Sequence, residues 1–209
     1  MAELGSWPGI QRHGLLSASA LLDLFGTHGD ARFAAESEQR KESVRLRHPI
    51  HGDAVIRDNK PMDDRGLLRA LTDMSPLEWY RSLNGKVFFW LTEARLQTLL
   101  QARAYRDRPH CVLTVDTRCL VRDYEDRIWL CPINSGATKP AAAPRGSNTF
   151  CRIKDYRFDQ RLRITRSPRK SVAELAVDYA VPNIGNYLDD VTIRDQSGII
   201  RTVSRQNAA

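Results

Sequence analysis

Residues 171 to 184 read SVAELAVDYAVPNI. From Val172 to Val177 they are small and apolar except for Glu174, which reads as a buried β-strand closed by Pro182. Strand side chains alternate, so Glu174 shares a face with Val172 and Ala176, while Ala173, Leu175 and Val177 fill the other. A carboxylate there either lines a cleft, where it can stabilise positive charge or take a proton, or looks out from a wet face or an edge. The strand alone leaves both open. The second chemical feature is cationic. Between Arg152 and Lys170 there are eight basic and two acidic residues, a net of +6 in a chain whose total is +7. The stretch RIKDYRFDQRLRITRSPRK alternates, with Arg157, Arg161 and Arg163 on one face and Tyr156, Phe158, Leu162 and Ile164 on the other. Such a strand suits a phosphate track with strongly salt-dependent binding. A basic edge strand kept unpaired by its charges has the same pattern. Cys111, Cys119, Cys131 and Cys151 form no C-x-x-C pair and have no histidine at ligand spacing, so no metal is expected and the thiols should stay reduced.

The elements that must position these residues come from a chain of 209 residues with 42% hydrophobic and 27% charged content, enough for one domain with a sizeable core. No apolar run approaches a membrane span and no secretion signal opens the sequence, so a cytoplasmic protein is expected. GSWPGIQRHGLLS predicts a short helix capped by Ser6, with Pro8 in its first turn and Gly14 just past its end. His13 fits a solvated helix end. ASALLDLFG predicts a second short apolar element. Thr27 to Arg47 shows no periodicity and reads as a long loop. A strand is expected around Ala54 to Arg57 and a helix from about Asp63 to Met74. Ser75, Pro76 and Glu78 form a capping box for the next helix, which Asn84-Gly85 ends. KVFFWLT is then an apolar strand, and Thr92 can cap a helix with Leu96, Leu99 and Leu100 on its inner stripe. CVLTVDT and RIWLCPIN are strands flanking a helical piece at Arg118 to Tyr124, SGATKPAAAPRGSN is a loop, and DVTIRDQSGIIRTV is a hairpin turning at Gln196 to Gly198. Helices early and strands late indicate an α+β domain over residues 1 to 209 with a mostly antiparallel or mixed sheet. Neither a P-loop nor a G-x-G-x-x-G occurs.

Three segments in order, IQRHGLLS, KVFFWLTEARL and AELAVDYAVPNI, together resemble the DarT-like branch of the ADP-ribosyltransferase superfamily. The chain also looks like an uncharacterised bacterial family over nearly its whole length, including AYRDRPH and INSGAT. The resemblance implies a split β-sheet core with helices on its rim, NAD as substrate, and Glu174 as the catalytic glutamate of the late strand. Breaking the bond between nicotinamide and ribose develops positive charge on the sugar, as in glycoside hydrolysis, and a preorganised carboxylate opposes that charge. An arginine on an early strand helps bind the pyrophosphate in these enzymes, and Arg57 is the positional match. A surface residue paired with Asp53 or Asp58 would look the same. Phe89 and Trp90, on the aromatic strand after Phe88, can supply a ring against nicotinamide, although core packing also explains such residues. Ser17 can hydrogen-bond the cofactor or cap the next apolar element. These enzymes also carry a histidine on a strand ahead of the IQRHGLLS element. MAELGSW holds none, so the resemblance implies an upstream extension, a cofactor site weakened by the missing histidine, or a folded relative that has lost catalysis.

DarT-like enzymes modify bases in DNA, so resemblance and charge together imply a nucleic-acid acceptor, DNA or RNA. A toxin or phage-defence setting with a macrodomain antitoxin as partner is implied by the resemblance alone. An RNA 2'-phosphotransferase relative would keep the fold and NAD but rely on basic residues in place of a late-strand glutamate. A non-catalytic nucleic-acid-binding relative would need only the shortened first strand and the basic stretch.

Overall fold

The computed structural model describes residues 1–139 and 141–205. The chain opens with a two-residue strand, β1 (Ala2–Glu3), and helix α1 (Trp7–His13), which has Pro8 in its first turn. Ser6 precedes α1 without a side-chain cap bond. Gly14 then turns the chain with φ of 81°, and a Cβ there would meet Pro182 Cα at 2.3 Å. That approach lets β2 (Leu15–Leu16) pair with the segment beginning at Ala180. Gly14→Ala should therefore lower stability by about 2 kcal/mol or more, from left-handed strain plus a backbone clash. The denaturant midpoint measures it, and an unchanged midpoint would contradict the packing.

Ser17 caps α2 (Ala18–Leu24), accepting the Ala20 N–H at 3.1 Å. The stretch expected as a loop from Thr27 to Arg47 instead contains α3 (Gly29–Ser37) and β3 (Val44–His48), which forms a hairpin with β4 (Gly52–Ile56). Helix α3 buries little, so its periodicity is faint. Three alanines and an i,i+4 pair between Arg32 and Glu36 at 3.1 Å support it. Next come α4 (Asp64–Ala70), which stops four residues short of the expected end, and α5 (Pro76–Asn84), which carries the expected capping box. β5 (Lys86–Trp90), α6 (Glu93–Leu100), β6 (His110–Val115), α7 (Thr117–Tyr124) and β7 (Ile128–Cys131) follow close to the expected places. Thr92 precedes α6 without a side-chain cap bond.

After β8 (Cys151–Arg152), the basic stretch expected as a strand is helical, as α8 (Phe158–Thr165) and α9 (Pro168–Ser171). The arginine, leucine and glutamine content favours helix, and Arg166, left-handed at φ 54°, ends the first of the two. β9 (Glu174–Asp178), β10 (Ala180–Val181) and the hairpin of β11 (Leu188–Asp195) with β12 (Gly198–Arg205) complete the described chain.

The fold is α+β, with nine α-helices and four antiparallel sheets among the described residues. Two sheets have four strands, ordered β1-β6-β11-β12 and β5-β9-β7-β8, and two are short pairs, β2 with β10 and β3 with β4. The largest core cluster joins the long sheets, with Ile128, Leu130, Leu175 and Val177 of one and Val191 and Ile193 of the other. Alternation sends Phe88, Trp129 and Cys131 to the opposite side, where they pack with Trp79 and Phe150. Among the described residues no helix is long and apolar enough to cross a membrane.

Candidate functional site

The three sequence segments that carry the resemblance meet in space. β2, from IQRHGLLS, pairs with β10, and β5, from KVFFWLTEARL, pairs with β9, so both lie against AELAVDYAVP. Edge strands β1 and β5 of the two long sheets flank a cavity of about 510 Å³. Four of the expected cofactor residues line it: Ser17, Arg57, Phe89 and Trp90.

Arg57 sits just past the end of β4. Its Nε and Nη2 are buried without a hydrogen-bond partner among the described residues, and its guanidinium lies over the Tyr105 ring, 4.5 Å from the centroid. Burial lowers its pKa, so its charge is held at a cost that an anionic ligand would offset. The surface pairing with Asp53 or Asp58 that the sequence left open is not made. Asp58 instead accepts the Tyr105 hydroxyl at 3.0 Å and faces Arg108 at 3.7 Å, while Arg108 also pairs with Glu3 at 3.2 Å. The AYRDRPH segment thus supplies the wall behind Arg57. A neighbouring cavity of about 270 Å³ shares Arg57, Lys86 and Phe88 with the first and adds Asp58, Asn59 and Gly136.

Ser17 is buried; its oxygen caps α2, and the residue lines the cavity. Phe89 packs against the main core cluster and Phe88 against the second, as strand alternation requires. Both also border the cavity at the exposed edge of β5. His13, expected at a solvated helix end, has its Nε2 buried without a partner among the described residues, 5.1 Å ring to ring from His51.

Glu174 is 4% exposed, which excludes the wet-face reading. Register sets it opposite Trp90 on β5 and Cys131 on β7. The cavity wall includes its neighbour Leu175 and its cross-strand partner Trp90, whereas the carboxylate is turned toward the loop after β7. There Ser135 donates its N–H to both carboxylate oxygens at 3.2 Å and its hydroxyl to Oε2 at 2.6 Å. Burial raises the Glu174 pKa to about 7, and the Ser135 bonds and the positive charge of Arg95 oppose the rise. The group is thus poised between its two protonation states near neutrality.

The profile of DUF7002, a family of unknown function, matches residues 1–188. The chain belongs to the DUF7002 family. No curated protein and no solved structure matches it. The broad coverage read from the sequence is thereby met by a family, although DUF7002 carries no stated activity. The match ends at the first residue of β11, so most of the terminal hairpin lies beyond the DUF7002 region.

The basic stretch of this DUF7002 chain is corrected in geometry as well as in type. On α8, Arg161 and Arg163 lie two residues apart and cannot share a face. Arg161 turns inward, donating to the Pro132 carbonyl at 3.1 Å, with its Nε buried. Arg157 and Arg163 instead border an open hollow with Tyr156 and Phe158, whose rings lie 4.9 Å apart. Leu162 and Ile164, expected on an inner face, are exposed. Among the described residues no cluster of three or more His, Cys, Asp or Glu has metal-binding geometry.

Sequence reasoning assigned no role to Lys86, Arg95, Ser135 or Arg145. Lys86 lines both cavities, and burial lowers its pKa while Asp178 at 3.9 Å resists. Its only sequence signal was a lysine opening the aromatic strand. Ser135 lies in INSGAT, a motif noted for resemblance without any role for its serine.

Proposed function

We propose that the chain is an NAD-dependent ADP-ribosyltransferase that transfers ADP-ribose to a nucleic-acid base. The observation that carries this reading is the cavity between the facing edges of the two long sheets, where Arg57, Ser17, Phe89 and Trp90 converge one strand away from Glu174. Two facing sheets with a cavity at their edges are also what a split ADP-ribosyltransferase-like core would look like.

NAD fits the chemistry of the lining. The volume lies within the roughly 300–1,000 Å³ common for small-molecule and cofactor sites. Arg57 offers unpaired donors to a pyrophosphate. Phe89 and Trp90 offer apolar and aromatic surface to a ring. NAD supplies a ribose whose bond to nicotinamide breaks with the electron pair leaving on nicotinamide. Glu174, once ionised, opposes the charge left at that ribose carbon and accepts the proton that the attacking base nitrogen or oxygen releases. Acceptor strands would run over α8, with Arg157 and Arg163 on phosphates and Phe158 beside them.

One observation favours a second reading. The Glu174 carboxylate is occupied by Ser135, which suits a non-catalytic nucleic-acid-binding relative whose glutamate holds a loop. An RNA 2'-phosphotransferase relative has no comparable support, because a buried late-strand glutamate is foreign to it. Transfer of label from NAD to a mixed DNA and RNA pool separates the readings. Labelled nucleic acid is the expected result. Salt-sensitive binding without label would favour the binding module. If label appears, co-expression with a macrodomain hydrolase tests the toxin setting and the implied antitoxin partner.

The basic surface makes its own prediction. Arg157→Ala with Arg163→Ala should reduce the slope of log affinity against log salt by about 1.4 to 1.8, at roughly 0.7 to 0.9 per phosphate contact. Arg161→Ala should leave that slope alone, since its guanidinium is engaged within the protein. Fluorescence titration of an oligonucleotide at several salt concentrations measures both. Equal slopes for wild type and the double variant would remove α8 from the interface.

A further inference from the structure

Arg145 is 2% exposed, yet no carboxylate within hydrogen-bond reach pairs with it among the described residues. Its guanidinium donates instead to three backbone carbonyls of its own loop: Ser135 at 2.9 Å, Ala137 at 2.9 Å and Ala143 at 3.0 Å. Its plane lies over the Trp79 ring, 5.6 Å from the centroid. The Arg145 backbone is fixed as well, donating to the Ala70 carbonyl at 2.8 Å and accepting from Thr72 at 3.0 Å. A fork of five donors is one of few side chains able to close a loop through its carbonyls. Burying that charge costs free energy, so a loop of this construction needs a reason for its rigidity. The reason lies at Ser135, whose carbonyl is held by Arg145 and whose N–H and hydroxyl both point at Glu174.

We propose that Ser135, fixed by Arg145, is a positioning residue for Glu174, setting the orientation of its carboxylate one strand in from the cavity. Three donor contacts from one residue leave the carboxylate little rotational freedom. Other groups also face it, the Cys131 thiol among them as a weak hydrogen-bond donor. Cys131, on β7, has its thiol pushed up by burial and by Glu174 itself. Arg95, on α6, acts through charge, and Trp90, on β5, is the cross-strand neighbour. With three donor contacts against one weak thiol, the main orienting role falls to Ser135 in the loop. The consequence for catalysis rests on the reading of Glu174 as the reacting carboxylate, but the positioning itself does not.

Its test needs no NAD, so a failure to find transfer would leave it standing. The Glu174 carboxyl signal in protein labelled with ¹³C-glutamate is assigned by its loss in Glu174→Gln and followed against pH. Ser135→Ala is expected to raise its titration midpoint by about one pH unit, because a charge-assisted donor is lost. Ser135→Thr, which keeps both donors, should titrate with the wild type. Arg145→Lys keeps the charge but loses the fork. It should move the midpoint in the same direction and speed Ser135 amide exchange by about tenfold or more. A Ser135→Ala midpoint equal to wild type would overturn the proposal. So would Arg145→Lys with neither the midpoint nor the exchange altered, and Ser135→Ala decides the matter alone should Arg145→Lys not fold.

Discussion

Glu174→Gln is expected to lower transfer of ADP-ribose by about 10³-fold, read as kcat, with KM for NAD changed only a few-fold. Removing a group that acts on charge developed in the transition state typically costs roughly 10² to 10⁴ in rate. Glutamine has the same shape and can still accept from Ser135, so the loop and the cavity should survive the change. Affinity for NAD depends in this reading on Arg57 and on the apolar lining, none of which the substitution touches. A loss confined to kcat is what differential transition-state stabilisation requires. The wild-type rate should also rise with pH through about 7, as the buried carboxyl ionises, and the residual rate of the variant should not. Equal rates for the two proteins would assign the chemistry elsewhere. A large rise in KM with kcat intact would make Glu174 a binding residue.

What the sequence disclosed follows the strength of its local signals. The capping box at Ser75 and Glu78 was legible because its contacts lie within one helical turn, and the aromatic strand β5 because its apolar, aromatic composition marks a strand although its partner β9 is distant in sequence. The terminal hairpin was legible because its contacts are also close in sequence. Helix α3 was not, because only Ala35 and Ser37 of its nine residues are buried and the pattern of a buried stripe is missing. Helix α8 was misread for a related reason. It buries no residue at all, so nothing enforces a helical period, and its arginines fell by accident into a period of two. The residues of the candidate cavity could be named one by one from the sequence, but not the shape they share. Arg57, Ser17, Phe89 and Trp90 share one cavity only because β1 and β5 end up facing each other as sheet edges, a long-range fact that no window reports. The partner of Glu174 was missed for the same cause. Ser135 lies 39 residues away in sequence, in a loop whose composition suggested only flexibility.

Buried Glu174 should also make stability fall as pH rises. Its carboxyl keeps its proton up to about 7 in the folded protein, against an ordinary value of 4.5 that the unfolded chain should approach. Below 4.5 both states are protonated and the group contributes nothing. Between 4.5 and about 7 the folded state binds more protons than the unfolded one, and the linkage relation makes unfolding free energy decline with pH across that window. Above about 7 both states are ionised and the whole penalty of a buried carboxylate is present. At roughly 1.4 kcal/mol per pH unit the penalty is on the order of 3 kcal/mol. Glu174→Gln has no proton to lose, so its advantage over wild type should grow from near zero at pH 4 to about 3 kcal/mol at pH 8. Taking the difference between the two proteins cancels groups common to both, including His51, whose pKa burial lowers. Urea unfolding of both proteins at half-unit pH steps measures it, and a difference that stays flat from pH 4 to 8 would mean that Glu174 titrates as an ordinary carboxylate. The same penalty shows what Ser135 does: the donors aimed at Glu174 lower the cost of ionising it inside the protein, as the proposed chemistry requires.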